Sequence, residues 1–244
     1  MTRVPKRRQQ TGSDPIESPP PPGYSEPSGY AGTTDYSATT DLSAVLDEAC
    51  LSTVAKAHEV IELRRDFAAR SGSRLASCAR QAAARFSAGG RLLTFGNGGS
   101  ATDAQQLATL FLYPGGTAPS LPALGLASDP AVTTALSDDI GVQVVFAHQI
   151  AAIGRPTDIA IGLSTSGNSE NLLRAFDEAS RRDLLTIGIA GYNGGKMAEL
   201  DSLDFLFIAS SSSIHRIEET QTTIYHVLWE LIVAELGQQA VSGS

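Results

Sequence analysis

Cysteine, tryptophan and long apolar runs are all scarce in this chain, and each shortage closes off a class of protein. Among its 244 residues are two cysteines, Cys50 and Cys78, and one tryptophan, Trp229. Neither cysteine lies in a metal-type spacing, and two cannot form a disulfide scaffold. Both read as free thiols of a reducing cytoplasm. No apolar run approaches the roughly twenty residues of a membrane-spanning helix. The basic residues at the start are not followed by the apolar stretch of a secretory signal. Positive charge is short as well: 18 Lys and Arg stand against 26 Asp and Glu, a net charge of −8. Arg3, Lys6, Arg7 and Arg8 cluster at the start, so the remainder is acidic. Such a remainder argues against nucleic acid as a partner, as the lack of a span does against a membrane.

Residues 1–40 also hold almost no aliphatic side chains. They are rich in Pro, Ser, Thr and Gly and contain Pro19-Pro20-Pro21-Pro22. A segment of this kind buries too little apolar surface to offset ordering and is expected to be a disordered tail. Its Pro run would suit a polyproline II ligand for an aromatic groove. Residues 41–240 are long enough for one domain with a sizeable core.

Within that domain the periodicity changes twice. Leu42, Val45, Leu46, Ala49, Val54, His58, Ile61 and Ala68 form a helical stripe over 41–69. Ser71-Gly72-Ser73 reads as a break, and 75–86 as a second helix, so helices over 41–88 precede any strand. They are an addition in front of the sheet and a candidate oligomerisation arm. From 91 to 236, short apolar runs alternate with helical patterns. Strands are expected over 91–95, 121–127, 158–163, 184–190 and 203–208. Helices are expected over 99–112, 130–136, 142–153, 169–182, 196–200 and 214–236. The pattern is that of an α/β fold: a three-layer, doubly wound sheet of about five parallel strands, with an N-terminal helical extension.

Two segments carry the chemistry. Gly96-Asn97-Gly98-Gly99-Ser100 follows the first strand, and Ser164-Thr165-Ser166-Gly167-Asn168-Ser169 follows the third. Each opens a helix. Glycines let the backbone approach a ligand, hydroxyls and free N–H groups donate to it, and the positive end of a helix dipole favours an anion. Ser100 is in addition a candidate cap for its helix. A tight turn with a Ser cap would use the same residues in the first segment. Four hydroxyls in six residues between a buried strand and an amphipathic helix are harder to explain as a linker. Neither segment is G-x-G-x-x-G or a Walker loop, so the ligand is a small phosphorylated molecule rather than a dinucleotide or nucleoside triphosphate.

The segments FGNGGSATDAQ, LSTSGNSENLLRAFDEA, GYNGGKMAELDSLDF and HRIEETQTTIYHVLWELI resemble the sugar isomerase (SIS) domain, and within it the phosphoheptose isomerases. The resemblance spans about 42–236. It implies interconversion of sedoheptulose 7-phosphate and a heptose 7-phosphate, and sites at the subunit interfaces of a homodimer or homotetramer. It further implies substrate binding by Asn97, Gly98, Gly99, Ser100, Ser164, Thr165, Ser166, Ser169 and Glu218, and by Asp138-Asp139 where the family has Asn-Asp. Members hold a metal, usually zinc, with a His and a Glu four residues apart, and with a Gln and a His on the last helix. Here those positions are Gln106, Leu110, Glu218 and His226. With Leu110 without a donor and Gln106 a poor zinc ligand, no metal site is assigned. Glu218 and His226 remain as residual ligands and as a candidate metal-free catalytic pair, two turns apart on one helix face.

Aldose–ketose isomerisation passes a proton between neighbouring carbons through an enediol, which calls for a base and an oxyanion stabiliser. Glu218 as carboxylate base and His226 as acid would serve. The alternative is a protein that binds a sugar phosphate without turnover, as some relatives do, one of them in association with the bacterial replication initiator. His226 also reads as a buried histidine beside Tyr225 and Trp229, and Glu219 as an ion-pair partner of Arg216. His58 on the first helix, His148 on the helix after Asp138-Asp139 and His215, which adjoins the mouth of the expected site, are given no functional role.

Overall fold

The structure, a computed structural model, describes residues 41–242. The Pro-rich tail of 1–40 lies outside the described residues. The described elements are α1 (Leu42–Ser87), β1 (Leu92–Gly96), α2 (Gly99–Leu112), β2 (Ala123–Gly125), α3 (Pro130–Asp139), α4 (Val145–Ile153), β3 (Ile159–Ser164), α5 (Glu170–Arg181), β4 (Leu185–Gly191), β5 (Phe205–Ala209) and α6 (Ile214–Ser242). Short 3₁₀ turns stand at Val142–Val144 and Gly195–Glu199.

The five strands make one parallel sheet in the order β2-β1-β3-β4-β5. Alternating side chains feed two cores. Leu92, Ile159, Ile161, Ile187 and Phe207 meet α1, α2 and α6 on one face. Leu93, Phe95, Ala160 and Ala190 meet α4 and α5 on the other. Helices on both faces explain why the strands read as continuous apolar runs rather than alternating ones. The three-layer parallel architecture is the one expected.

The expected break in the first helical region does not form. Residues Leu42–Ser87 are one helix of 46 residues running through Ser71-Gly72-Ser73. Asp41 starts it, its carboxylate accepting from the amides of Ser43 (3.0 Å) and Ala44 (3.4 Å). Phe67 and Leu75, on either side of Gly72, are both buried, as are Cys78, Ala79, Ala82 and Phe86 beyond. An interior glycine costs a helix about 1 kcal/mol relative to alanine. Burying two large side chains gains more than that. Packing therefore overrides the local signal.

At the amino ends of the strands, Asp158 is fully buried. It accepts from the Arg91 guanidinium (2.7 Å) and from the amides of Arg91 (2.9 Å) and Arg155 (3.1 Å). This clamp ties β1 to β3 at the end opposite the two Gly/Ser segments.

Candidate functional site

β1 and β3 are neighbours, yet the chain leaves β1 toward β2 on one side and leaves β3 toward β4 on the other. Two loops departing in opposite directions open a crevice at the carboxyl ends of their strands, which is where ligands bind in such sheets. Both Gly/Ser segments lie there: the first joins β1 to α2, the second β3 to α5.

In the first loop Gly98 has φ 54°, ψ −125°, a conformation that only glycine adopts readily. It occupies the position before α2 and offers no side-chain cap, and while its carbonyl accepts from the Ala101 amide (3.0 Å), the amides of Gly99 and Ser100 remain open to an oxyanion. Ser100 is not the cap that the sequence suggested. α2 already begins at Gly99, and Ser100 is 5% exposed inside the first turn. Asn97 is anchored by a reciprocal amide pair with Asn171 on α5, at 2.8 and 2.9 Å.

The second loop is braced by its own hydroxyls. Ser164 Oγ accepts from the amide of Gly167 (3.1 Å) and lies 3.3 Å from Ser169 Oγ, while Ser166 Oγ accepts from the amide of Asn168 (3.2 Å). Ser169 stands at the start of α5 without capping it through its side chain. Gly167 has φ 67° and sits so close to the loop after β4 that a Cβ there would fall 2.0 Å from the Gly194 carbonyl. Only glycine permits that contact.

α6 supplies the third wall. A Cβ on Gly99 would lie 3.2 Å from Glu218 Oε1, so this half-buried carboxylate stands over the start of α2. One turn on, Gln221 is fully buried, and its Nε2 donates to the carbonyls of Ser164 (3.2 Å) and Ile189 (3.3 Å). Its Oε1 has no partner among the described residues. Gln221 thus ties α6 to the ends of β3 and β4 and sets the position of Glu218. Asp103 on α2 is close enough to feel Glu218. Burial, and then the charge of Glu218, hold its carboxyl above the ordinary range. The Tyr225 hydroxyl donates to Gln106 Oε1 (3.2 Å).

Sequence reasoning missed Asp103, Asn171 and Gln221. Asp103 and Gln221 had no signal beyond being polar residues near a motif. Asn171 could have been suspected as a polar residue on the apolar face of α5, where Leu172, Ala175 and Phe176 are also buried.

One alternative reading is corrected. His226 is exposed rather than buried. Its Nδ1 lies 2.8 Å from the Thr222 carbonyl, and its ring stacks on that of Tyr225 at 4.8 Å. The paired Asp138 and Asp139 are exposed at the end of α3 and make none of the hydrogen bonds that join the two loops to α5 and α6. Arg216 does pair with Glu219, and with Glu59 at 3.8 Å. His58 lines a cleft between α1 and the Ser211–Ser213 segment, and His148 a largely apolar cleft with α3. Neither cleft contains the hydroxyl cluster.

The donor set does not fit zinc. Leu110 packs its hydrocarbon against the core, Gln106 Oε1 accepts from Tyr225, and His226 is turned to a backbone carbonyl. Among the described residues no three His, Cys, Asp or Glu side chains are grouped as a metal site would require.

Comparison with known proteins agrees with this geometry. The family model described as the SIS domain matches residues 57–191. The phosphoheptose isomerase of Pelodictyon phaeoclathratiforme is 40% identical over 179 residues, which covers 72% of this chain and 84% of that protein. That of Aquifex aeolicus is 42% identical over 146 residues, 59% and 75% of the respective chains. The solved phosphoheptose isomerase of Neisseria gonorrhoeae has a TM-score of 0.68 and 31% identity, over 77% of this chain and 98% of that one. With its sheet, its two loops and these relatives in agreement, the chain belongs to the SIS-domain family and, within it, to the phosphoheptose isomerases.

Proposed function

We propose that this protein is a cytoplasmic aldose–ketose isomerase that acts on sedoheptulose 7-phosphate or a related sugar phosphate without a metal. The observation that carries the reading is the Glu218 carboxylate over the start of α2. It supports one way for a substrate to lie. A phosphate cannot rest on the α2 N-terminus beside a carboxylate, so it goes to the hydroxyls of Ser164, Thr165, Ser166 and Ser169. The other end of the sugar, with its carbonyl, then reaches Glu218.

In that pose Glu218 takes the proton from the carbon next to the carbonyl and returns it to the former carbonyl carbon. Asp103, whose carboxyl is held above its ordinary range by burial and by Glu218, donates a proton to the carbonyl oxygen as the enediol forms and takes one back from the neighbouring hydroxyl as the new carbonyl appears. The open amides of Gly99 and Ser100 ease the charge that develops there. The exposed His226 and the Asp138-Asp139 pair are assigned to the rim. They complete the site when copies of the chain associate as a dimer or tetramer. Leu51, Val54 and Ile61 leave an apolar stripe exposed on α1 in support of such association.

A second reading, binding without turnover, is favoured by Gln106 and Leu110, which replace two family positions that carry proton-transfer and metal chemistry. One experiment separates the two. The full chain is incubated with sedoheptulose 7-phosphate in heavy water, with and without zinc, and deuterium entry at the carbons next to the carbonyl is followed by NMR. Metal-independent exchange that disappears in Glu218→Gln, with binding retained, supports the isomerase. Binding without exchange in either condition establishes the second reading. Exchange only with zinc overturns the metal-free assignment.

A further inference from the structure

The cradle described above is electrically incomplete. A phosphate monoester carries a charge of about −1.5 to −2 near neutral pH, yet the second loop offers it only neutral hydroxyls and amides. The charged side chain in the first turn of α5 is Glu170, of the wrong sign, and it is paired with Arg174 at 2.9 Å. A cation has to come from elsewhere.

The segment after β4 is the neighbour that touches this loop along its length. Gly191 donates its amide to the Thr165 carbonyl (3.0 Å), and Met197 to that of Gly167 (3.0 Å). A Cβ on Gly195 would fall 2.4 Å from the Ser166 carbonyl. Tyr192 is held at φ 50°, a conformation costly for an aromatic residue, which marks a segment whose course is dictated by its packing. At its end stands Lys196, whose amide donates to Asn168 Oδ1 (3.0 Å). Lys196 is exposed and forms no salt bridge among the described residues. Glu199, three residues on, lines a separate cleft with Asp177, Arg181 and Asp201.

We infer that Lys196 supplies the positive charge that complements the phosphate over Ser164–Ser169, and so selects phosphorylated over unphosphorylated sugars. The inference rests on the phosphate lying at the second loop, as proposed above. A flexible four-carbon stem with a compact charge suits this task, since it meets a phosphate after the hydroxyls and amides have positioned it. The role concerns binding, and Lys196 takes no part in the proton transfer.

The test is calorimetric titration of the full chain with sedoheptulose 7-phosphate, inorganic phosphate and unphosphorylated sedoheptulose. Wild type, Lys196→Gln and Lys196→Arg are compared at low and high salt. Lys196→Gln is expected to weaken both phosphate ligands on the order of tenfold and to flatten their salt dependence. Affinity for the unphosphorylated sugar stays the same, and Lys196→Arg restores most of the loss. Unchanged phosphate affinity in Lys196→Gln overturns the role of Lys196 and leaves the isomerase reading standing. Wild type that binds neither phosphate ligand overturns both.

Discussion

Asn97 and Asn171 lie 74 residues apart and exchange two hydrogen bonds, each amide donating to the other's oxygen at 2.8 and 2.9 Å. The pair bridges the crevice between the first loop and α5. It holds the β1–α2 turn against the helix that starts at the second loop. Replacing Asn171 by Leu leaves the Asn97 amide without its partner and costs about 1–3 kcal/mol. The urea midpoint should fall accordingly, and ligand affinity with it. Combining Asn97→Ala with Asn171→Leu should cost less than the two single changes added together. Strict additivity would show that the pair is not coupled.

Gly99 and Gly162 separate function from stability. A methyl group on Gly99 meets only Glu218 Oε1 at 3.2 Å, so Gly99→Ala should displace the carboxylate by a few tenths of an ångström. Turnover should drop at least tenfold with little change in melting temperature. A methyl group on Gly162 falls 2.5 and 2.6 Å from the rings of Phe176 and Phe95. Gly162→Ala should therefore lower stability by about 1–3 kcal/mol through overpacking. Thermal melts and initial rates on both variants check the contrast.

The raised pKa of Asp103 makes a signed prediction. Burial, then the charge of Glu218, lift its carboxyl above the ordinary 3.8. The folded state thus binds this proton more tightly than the unfolded chain does. Its contribution to stability is full below 3.8 and is lost as pH rises through the folded value. Asp103→Asn should be more stable than wild type at neutral pH, with the gap closing toward acid. In Glu218→Gln the Asp103 carboxyl should titrate lower, as read by carbon-13 NMR. An Asp103 titration unmoved by Glu218→Gln would show that the two carboxyls are not in communication.

Gly72 tests the unbroken helix. It sits inside α1, and an added Cβ meets nothing within 4 Å. Gly72→Ala should raise stability by about 0.5–1 kcal/mol, measured by chemical denaturation. If the chain instead turned at Ser71-Gly72-Ser73, the substitution would destabilise it.

The alternation of apolar runs and helical stripes was legible because a parallel sheet covered on both faces buries its three central strands, β1, β3 and β4, along their whole length. Leu92, Leu93 and Phe95 of β1 are all at 0% exposure. The two loops were legible because glycine and serine are demanded there by backbone geometry and hydroxyl chemistry, both local properties. The course of α1 was not legible. Glycine and serine are weak helix residues in isolation, and nothing within 71–73 records that Phe67 and Leu75 dock on the same sheet face. Nor could the exposure of His226 be read, since a helical stripe does not say which of its edges meets solvent.

Asp103 shows the same limit at the site. It is an ordinary polar residue on α2 until α6 sets Glu218 beside it. Gln221 is likewise unremarkable until its amide is found between the ends of β3 and β4.

Family, sheet and phosphate-type loops are therefore properties of the chain's local order, written in residue types a few positions apart. The candidate site is not. Glu218 stands over Gly99, Asn171 holds Asn97 and Lys196 abuts the second loop because segments distant in sequence converge at the one place where a parallel sheet reverses its winding. Such convergence arises from long-range packing, which no short stretch of sequence encodes.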